Sequence, residues 1–268
     1  MSITQLMRGT LLAGVATAVF LLERRRRARA YVERPSTHTG RNLAVAGLAA
    51  ATVHTLEAPV VMPLARLAAS RRWGIVGRLR GPAWLRDLAA IVLLDYTLYI
   101  WHILVHRVPW LWRFHLVHHV DLDLDASTGL RFHAGEIAAS IPWRAAQVVA
   151  IGVTPRALAL WQSLTIASVL FHHSNTRFDE RVERILSWVV ATPGMHAIHH
   201  SIVSTQLQSN FSSGLAIWDR LHRTARFDRD PGDVTVGVVG HLDAEDVTLP
   251  RILELPFSTR DLPPTSHA

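Results

Sequence analysis

The sequence predicts an all-α protein that lives in a membrane. Three observations carry that expectation: long apolar runs with a positive mean hydropathy, arginine clusters beside those runs, and histidines that recur at helical intervals. A chain of 268 residues would ordinarily form one or two soluble domains, and the apolar runs displace that prior. The formal charge of +7 comes from arginine, much of it flanking apolar segments at Arg24 to Arg27, Arg71, Arg72, Arg78 and Arg80. Such flanks suit the anionic headgroups of a cytoplasmic leaflet. Nucleic acid is not expected as a partner, because no basic patch interleaved with aromatics lies outside these flanks. With no cysteine, the chain has no disulfide, zinc ribbon, thiolate-held cluster or thiol nucleophile. Any metal must rest on His, Asp, Glu or water.

The first apolar run, Thr10 to Leu22, is short for a span, which needs roughly 20 residues. The charge follows the run instead of preceding it, and no small-residue cleavage pattern ends it. Residues 1–41 are therefore expected to be an anchor helix with a basic connector, not a cleaved signal. Residues 31–41 read as a polar connector with turn chemistry at Pro35 and Gly40. The second segment, Asn42 to Ala69, is long enough to cross, but Glu57, Pro59 and Pro63 interrupt its latter half. Crossing and returning as a bent hairpin both remain open, and arginine at both ends leaves the orientation open too.

The third segment starts near Pro82, a good first-turn residue, and ends in the pair His102 and His106. Asp95, Tyr99 and His102 project from one face of it. An aspartate within a membrane-length helix is costly and needs a partner. From Ile137 to Phe171 runs another apolar stretch, interrupted at Gly152 to Pro155. As one helix it would reach roughly 52 Å, near twice the hydrocarbon thickness, so it is expected to fold as a hairpin. That parity puts the histidines before it and after it on the same side. Residues 174–268 are mixed in character and expected to cap the helices, with a proline-rich tail over 258–268.

Eleven of the sixteen histidines fall in two blocks, one from His102 to His133 and one from His172 to His200. Imidazole is the commonest protein ligand of first-row transition metals, so the blocks read as two halves of one metal centre of iron, zinc or copper. In H-x-x-H-H, at 115, 118 and 119 and again at 196, 199 and 200, all three rings lie on one side of a helix. The last two diverge by about 100 degrees, so they can address different ions. Roughly ten histidines exceed what one ion takes, since a catalytic zinc needs three ligands and a facial-triad iron two histidines and a carboxylate. His133 lies one turn from Glu136, which fits a ligand oriented by an acid. His173 is favoured over its neighbour His172. His38, His54, His222, His241 and His267 stand alone and read as packing or surface residues. The tryptophans Trp101, Trp110, Trp112, Trp143 and Trp161 read as an interfacial belt.

The segments from Trp101 to Glu136, FHHSN at 171–175, TPGMHAIHHS at 192–201 and SNFSSGLAIWDRLHRT at 209–224 resemble the successive motifs of the sterol desaturase and fatty acid hydroxylase superfamily. The resemblance runs in order from about Asn42 to Phe257, which marks residues 42–257 as the hydroxylase-like membrane domain. It implies a bundle of four or more membrane helices with a cytosolic histidine-rich cap, and a dimetal centre, normally two irons. It also implies the use of dioxygen and two electrons to hydroxylate or desaturate a lipid. The implied ligands are His102, His106, His115, His118, His119, His133, His173, His196, His199 and His200, with Asn175, Asn210 and Asp219 as supporting residues. Two positions depart from the pattern. The WDRL segment continues with His222, Arg223 and Thr224 where a phenylalanine-glycine-threonine run is usual, and Ala134 and Gly135 follow His133 where a proline is usual.

The expectation is thus an oxygen-dependent lipid hydroxylase or desaturase, with zinc a possible substitute for iron, in the inner membrane of a bacterium and with its metal site on the cytoplasmic face. No Rossmann glycine pattern and no haem or flavin motif occurs, so electrons must come from a separate carrier and reductase. Alternatives are a non-catalytic membrane metal-binding or transport protein, and a lipid-binding scaffold. Transport predicts histidines near the bilayer midplane, whereas here they gather at helix ends. A scaffold that had lost activity predicts missing box residues, and none is missing.

Overall fold

A computed structural model describes residues 3–258; the tail over 259–268, with His267, lies outside them. The described residues form helices and loops, with no strand beyond three isolated bridges. Helix α1, Ile3–Arg25, has 23 residues and is longer than its apolar run. It lies beside a later helix through Arg8, whose guanidinium donates to the Ala159 carbonyl at 2.7 Å and to Ser163 Oγ at 2.8 Å. At its other end Glu23 accepts the amides of Ala126 and Asn175, both at 2.8 Å.

Helix α2, Pro35–Thr52, starts with Pro35 in its first turn, where a missing N–H costs nothing. The expected turn at Gly40 is therefore corrected: Gly40 is helical, and the boundary drawn between 41 and 42 falls inside α2. The reason is tertiary, since the polar residues His38, Arg41 and Asn42 that made the stretch look like a connector are all buried against partners. The chain continues without a break through a π-turn at Val53–Glu57 into α3, Ala58–Arg71. The second segment therefore runs on as one helical segment instead of turning back. The amide of Ala58 reaches the Val53 carbonyl, five residues back, and this wider turn accommodates Pro59 and Pro63, which cannot donate to the ladder.

After the short α4, Gly74–Gly77, comes α5, Ala83–Arg107, with Pro82 as its N-cap. Helix α6, Pro109–His119, follows with Val108 as its cap. Helices α7, Ala134–Ile151, and α8, Pro155–His173, form the expected hairpin. It turns at Gly152, held at φ +83°, and Thr154 caps α8 through the Ala157 amide. Gly74, at φ +71°, packs so closely on this turn that a Cβ there would sit 2.2 Å from the Gly152 nitrogen. The remaining described helices are short: α9, Glu180–Leu186; α10, Pro193–His199; α11, Ser204–Leu207; α12, Ile217–Leu221; and α13, Leu249–Glu254.

Among the described residues, two segments, Pro35–Gly77 and Ala83–Arg107, are long and apolar enough to cross a membrane. At the end of the bundle where α3, α5, α7 and α8 meet, Val61, Ala65, Leu94, Val148, Ile151 and Leu158 form an apolar core. The histidines occupy the opposite end, where α5 and α8 finish, α7 begins, and α6 and α10 lie across the top.

Candidate metal centre

Nine histidines converge into two adjoining groups. The first holds His102, His106, His115, His119 and His199; the second holds His118, His173, His196 and His200. Within each group the candidate ligand nitrogens lie within 4.8 Å of one another, and all nine residues are buried. The helical divergence of the two triplets does the sorting. On α6, His115 and His119 face the first group and His118 the second; on α10 and its cap, His196 and His200 face the second and His199 the first. The two triplets thus cross over, each contributing to both groups.

Ring contacts show convergence on shared points. His173 Nε2 lies 3.0 Å from His118 Nε2 and 2.9 Å from His196 Nε2, while His200 Nε2 is 3.2 Å from His196 Nε2. In the first group His119 Nε2 is 3.2 Å from His115 Nε2. Ligands about 2.0–2.1 Å from one ion have neighbouring donors roughly 2.9–3.4 Å apart, so the spacing matches the edges of a coordination shell.

The tautomers follow from the outer partners. His102 Nδ1 donates to the Phe211 carbonyl at 2.7 Å, His199 Nδ1 to the Ser209 carbonyl at 2.7 Å, and His173 Nδ1 to the Val169 carbonyl at 2.9 Å. A carbonyl only accepts, so these Nδ1 atoms carry the proton and each Nε2 keeps its lone pair for the interior. His115 Nδ1 is held by Glu136 Oε1 at 3.1 Å. Burial, reinforced by neighbouring imidazoles, holds His118, His119, His196, His199 and His200 well below the usual histidine range. They are buried, neutral donors. Both nitrogens of His106 and Nε2 of His199 are buried with no hydrogen-bond partner. Such orphans are costly unless something else takes the lone pair, and a metal ion is what this all-nitrogen donor set fits.

Nine of the ten expected ligands lie in these groups, and His133 lies outside both. It caps α7, its Nδ1 accepting the Gly135 amide at 2.9 Å, while Nε2 donates to the Leu253 carbonyl at 3.3 Å. Both nitrogens are committed, and its sequence neighbour Glu136 turns to His115 instead. His172 is buried against His196, ring centroids 4.2 Å apart, and belongs to neither group.

The loop over 208–212 sets His102 and His199 through its carbonyls, and the WDRL segment holds that loop. Asp219 accepts the amides of Phe211 at 2.8 Å and Ser212 at 3.0 Å. Asn210, at φ +53°, donates from Nδ2 to the carbonyls of Met195 and Arg226. Asp95, whose need for a partner was expected, accepts the Leu215 amide at 3.0 Å and Trp218 Nε1 at 2.7 Å. Asn175 fixes the chain after α1 through Arg29.

Residues that the sequence reading passed over form a buried lattice beneath α6. Asp121 Oδ2 lies 2.9 Å from His38 Nε2 and accepts from Thr128 at 2.8 Å; Oδ1 accepts from Arg131 at 3.0 Å. Burial alone would push the Asp121 carboxyl up, but Arg131, His38 and Arg41 overcome it and hold the group well below the ordinary carboxylate range. His38, far from being an ordinary isolated residue, bridges Asp121 and Asp125. The run Asp121, Asp123, Asp125 directly after the first triplet was the available signal.

A cavity of about 160 Å³ opens beside the histidines, walled by Leu98 and Val105 of α5, Ile137 of α7 and Val169 of α8, and lined also by members of both histidine groups. Its volume suits a benzene-sized apolar group, or a segment of a longer chain entering from outside.

The family model for fatty acid hydroxylase matches residues 88–224, about half of the chain, and the chain belongs to that family. An ornithine lipid hydroxylase of Rhizobium tropici is 29% identical over 59% of this chain and 47% of its own length. A cholesterol 25-hydroxylase-like protein of Danio rerio is 30% identical over 53% of this chain and 56% of its own. An alkylglycerol monooxygenase of Xenopus tropicalis is 26% identical over 48% and 28% respectively. The chain thus spans about half the length of the first two relatives. No solved structure matches it.

Proposed function

We propose that the protein is a membrane-bound, oxygen-dependent lipid hydroxylase whose nine grouped histidines hold two iron ions. The observation that carries this reading is the cavity shared by both histidine groups and three apolar helix faces. Ligand softness supports iron over a purely oxygen-loving cation, and the names of the three relatives, all lipid hydroxylases or monooxygenases, support a lipid substrate. Bound iron would supply dioxygen activation and hydrogen abstraction.

The chain supplies the rest. His102, His106, His115, His119 and His199 would hold one ion, and His118, His173, His196 and His200 the other. Phe211, Ser209, Val169 and Glu136 fix ring orientation, so little reorganisation accompanies catalysis. Leu98, Val105, Ile137 and Val169 exclude water from the cavity and hold a methylene segment against the centre. Electrons come from a separate carrier and reductase, and the histidine end, bordered by Arg24 to Arg27, faces the cytoplasm of the membrane in which α2–α3, α5, α7 and α8 are embedded.

The test is metal analysis of detergent-purified protein with His118→Ala and His199→Ala, joined to a comparison of host lipids with and without the protein. About two irons per chain, lost in both variants, and a lipid gaining one oxygen are expected. Full metal content in both variants, or lipids unchanged by the protein, would end the reading.

A further inference from the structure

Away from the histidines, the cavity wall carries one charged side chain that the proposed chemistry does not use. Arg144 lies eight residues beyond Glu136 on α7, roughly 12 Å along the helix, and lines the same cavity. Its side chain is 17% exposed and its guanidinium rests over the Trp161 ring, 4.7 Å from the centroid. A guanidinium stacked in this way is fixed in place. Nε and Nη1 are buried and have no hydrogen-bond partner. The nearest carboxylate is Glu57, on the π-turn between α2 and α3, 3.9 Å from Nε, too far for a hydrogen bond but close enough to balance the charge.

We infer that Arg144, with Glu57 beside it as counter-charge, forms the polar part of the substrate site and takes up a neutral oxygen acceptor of the lipid, a hydroxyl or an ester or amide carbonyl, placed several methylenes from the carbon held at the histidines. This rests on the hydroxylase reading for the chemistry, while the binding itself does not. The orphan N–H groups call for an acceptor, because an unpaired buried donor is expensive. The acceptor is uncharged because Glu57 already compensates the arginine. A carboxylate or phosphate would leave a net negative charge in a bundle of membrane helices. Leu98, Trp101, Val105, Ile137 and Val169 make the wall mostly apolar, with the small hydroxyls of Ser140 and Thr165 set into it, which matches a hydrocarbon segment joining the polar group to the reacting carbon.

The experiment measures equilibrium binding of isotopically labelled octadecanol, octadecane and octadecanoate to the iron-loaded protein in lipid nanodiscs, with metal content and oxygen insertion recorded in parallel. The wild type is expected to bind octadecanol at least about tenfold more tightly than either of the others, the scale of one hydrogen bond to a charged group. Arg144→Met should lose that preference while keeping its iron. Glu57→Gln, which removes the compensating charge, should raise octadecanoate binding about tenfold. Octadecanol bound equally by wild type and iron-replete Arg144→Met, or octadecanoate preferred by the wild type, overturns the assignment. Should Arg144→Met fail to accumulate, Glu57→Gln decides: unchanged octadecanoate binding overturns it. An alcohol preference retained by a protein that inserts no oxygen supports the site and counts against the hydroxylase reading instead.

Discussion

At the scale of single residues, the geometry separates histidines that the sequence treats alike. His118 and His199 have their Nε2 atoms inside the groups, and replacing either should strip at least one ion. His133 has both nitrogens engaged outside them. We expect His133→Ala to retain full iron content, with a modest loss of thermal stability of about 1 kcal/mol from the missing helix cap; metal analysis beside a melting curve checks both parts. Asp121 is a different kind of residue. Removing it in Asp121→Ala would leave buried Arg131 without its counter-charge, and breaking such a pair costs about 3–5 kcal/mol. The expected outcome is a large fall in melting temperature, while Asp121→Asn, which keeps a side-chain oxygen for Thr128, falls less. Equal melting of wild type and Asp121→Ala would remove the lattice from the account of stability.

Elements explain why those residues meet. The α7–α8 hairpin was legible because Gly152, Thr154 and Pro155 are respectively a helix stop, a cap and a helix start. The tight approach of Gly74 to that turn was not, since two glycines far apart in sequence give no sign that they touch. Gly152→Ala would impose a side chain at φ +83° and place its Cβ 2.0 Å from the Trp73 carbonyl. A destabilisation of about 1–3 kcal/mol is expected, measured as a lower melting temperature. The second segment shows the opposite case. Its prolines left a bent return open, and a single π-turn absorbs the missing hydrogen bonds so that the helix goes on.

Over the whole molecule, the two histidine groups join elements that are far apart in sequence: α5 and α6 on one side, α8 and α10 on the other. Ions held there would act as cross-links between the halves. Chelation should therefore lower the melting temperature, and iron should restore it, by the linkage expected for a ligand that binds only the folded state. A melting temperature indifferent to iron would mean that the groups do not take it up.

The sequence alone determined the helical class, the hairpin and the two histidine blocks, because these depend on local spacing: intervals of three and four residues, a glycine stop, a proline start. Only the tertiary structure decided which ring serves which group, that Glu136 turns to His115, that His133 stands apart, and that Arg144 lines the cavity with Glu57 beside it. Each of those outcomes depends on which surfaces of separate helices face one another. Long-range packing sets that, and no periodicity within one segment records it.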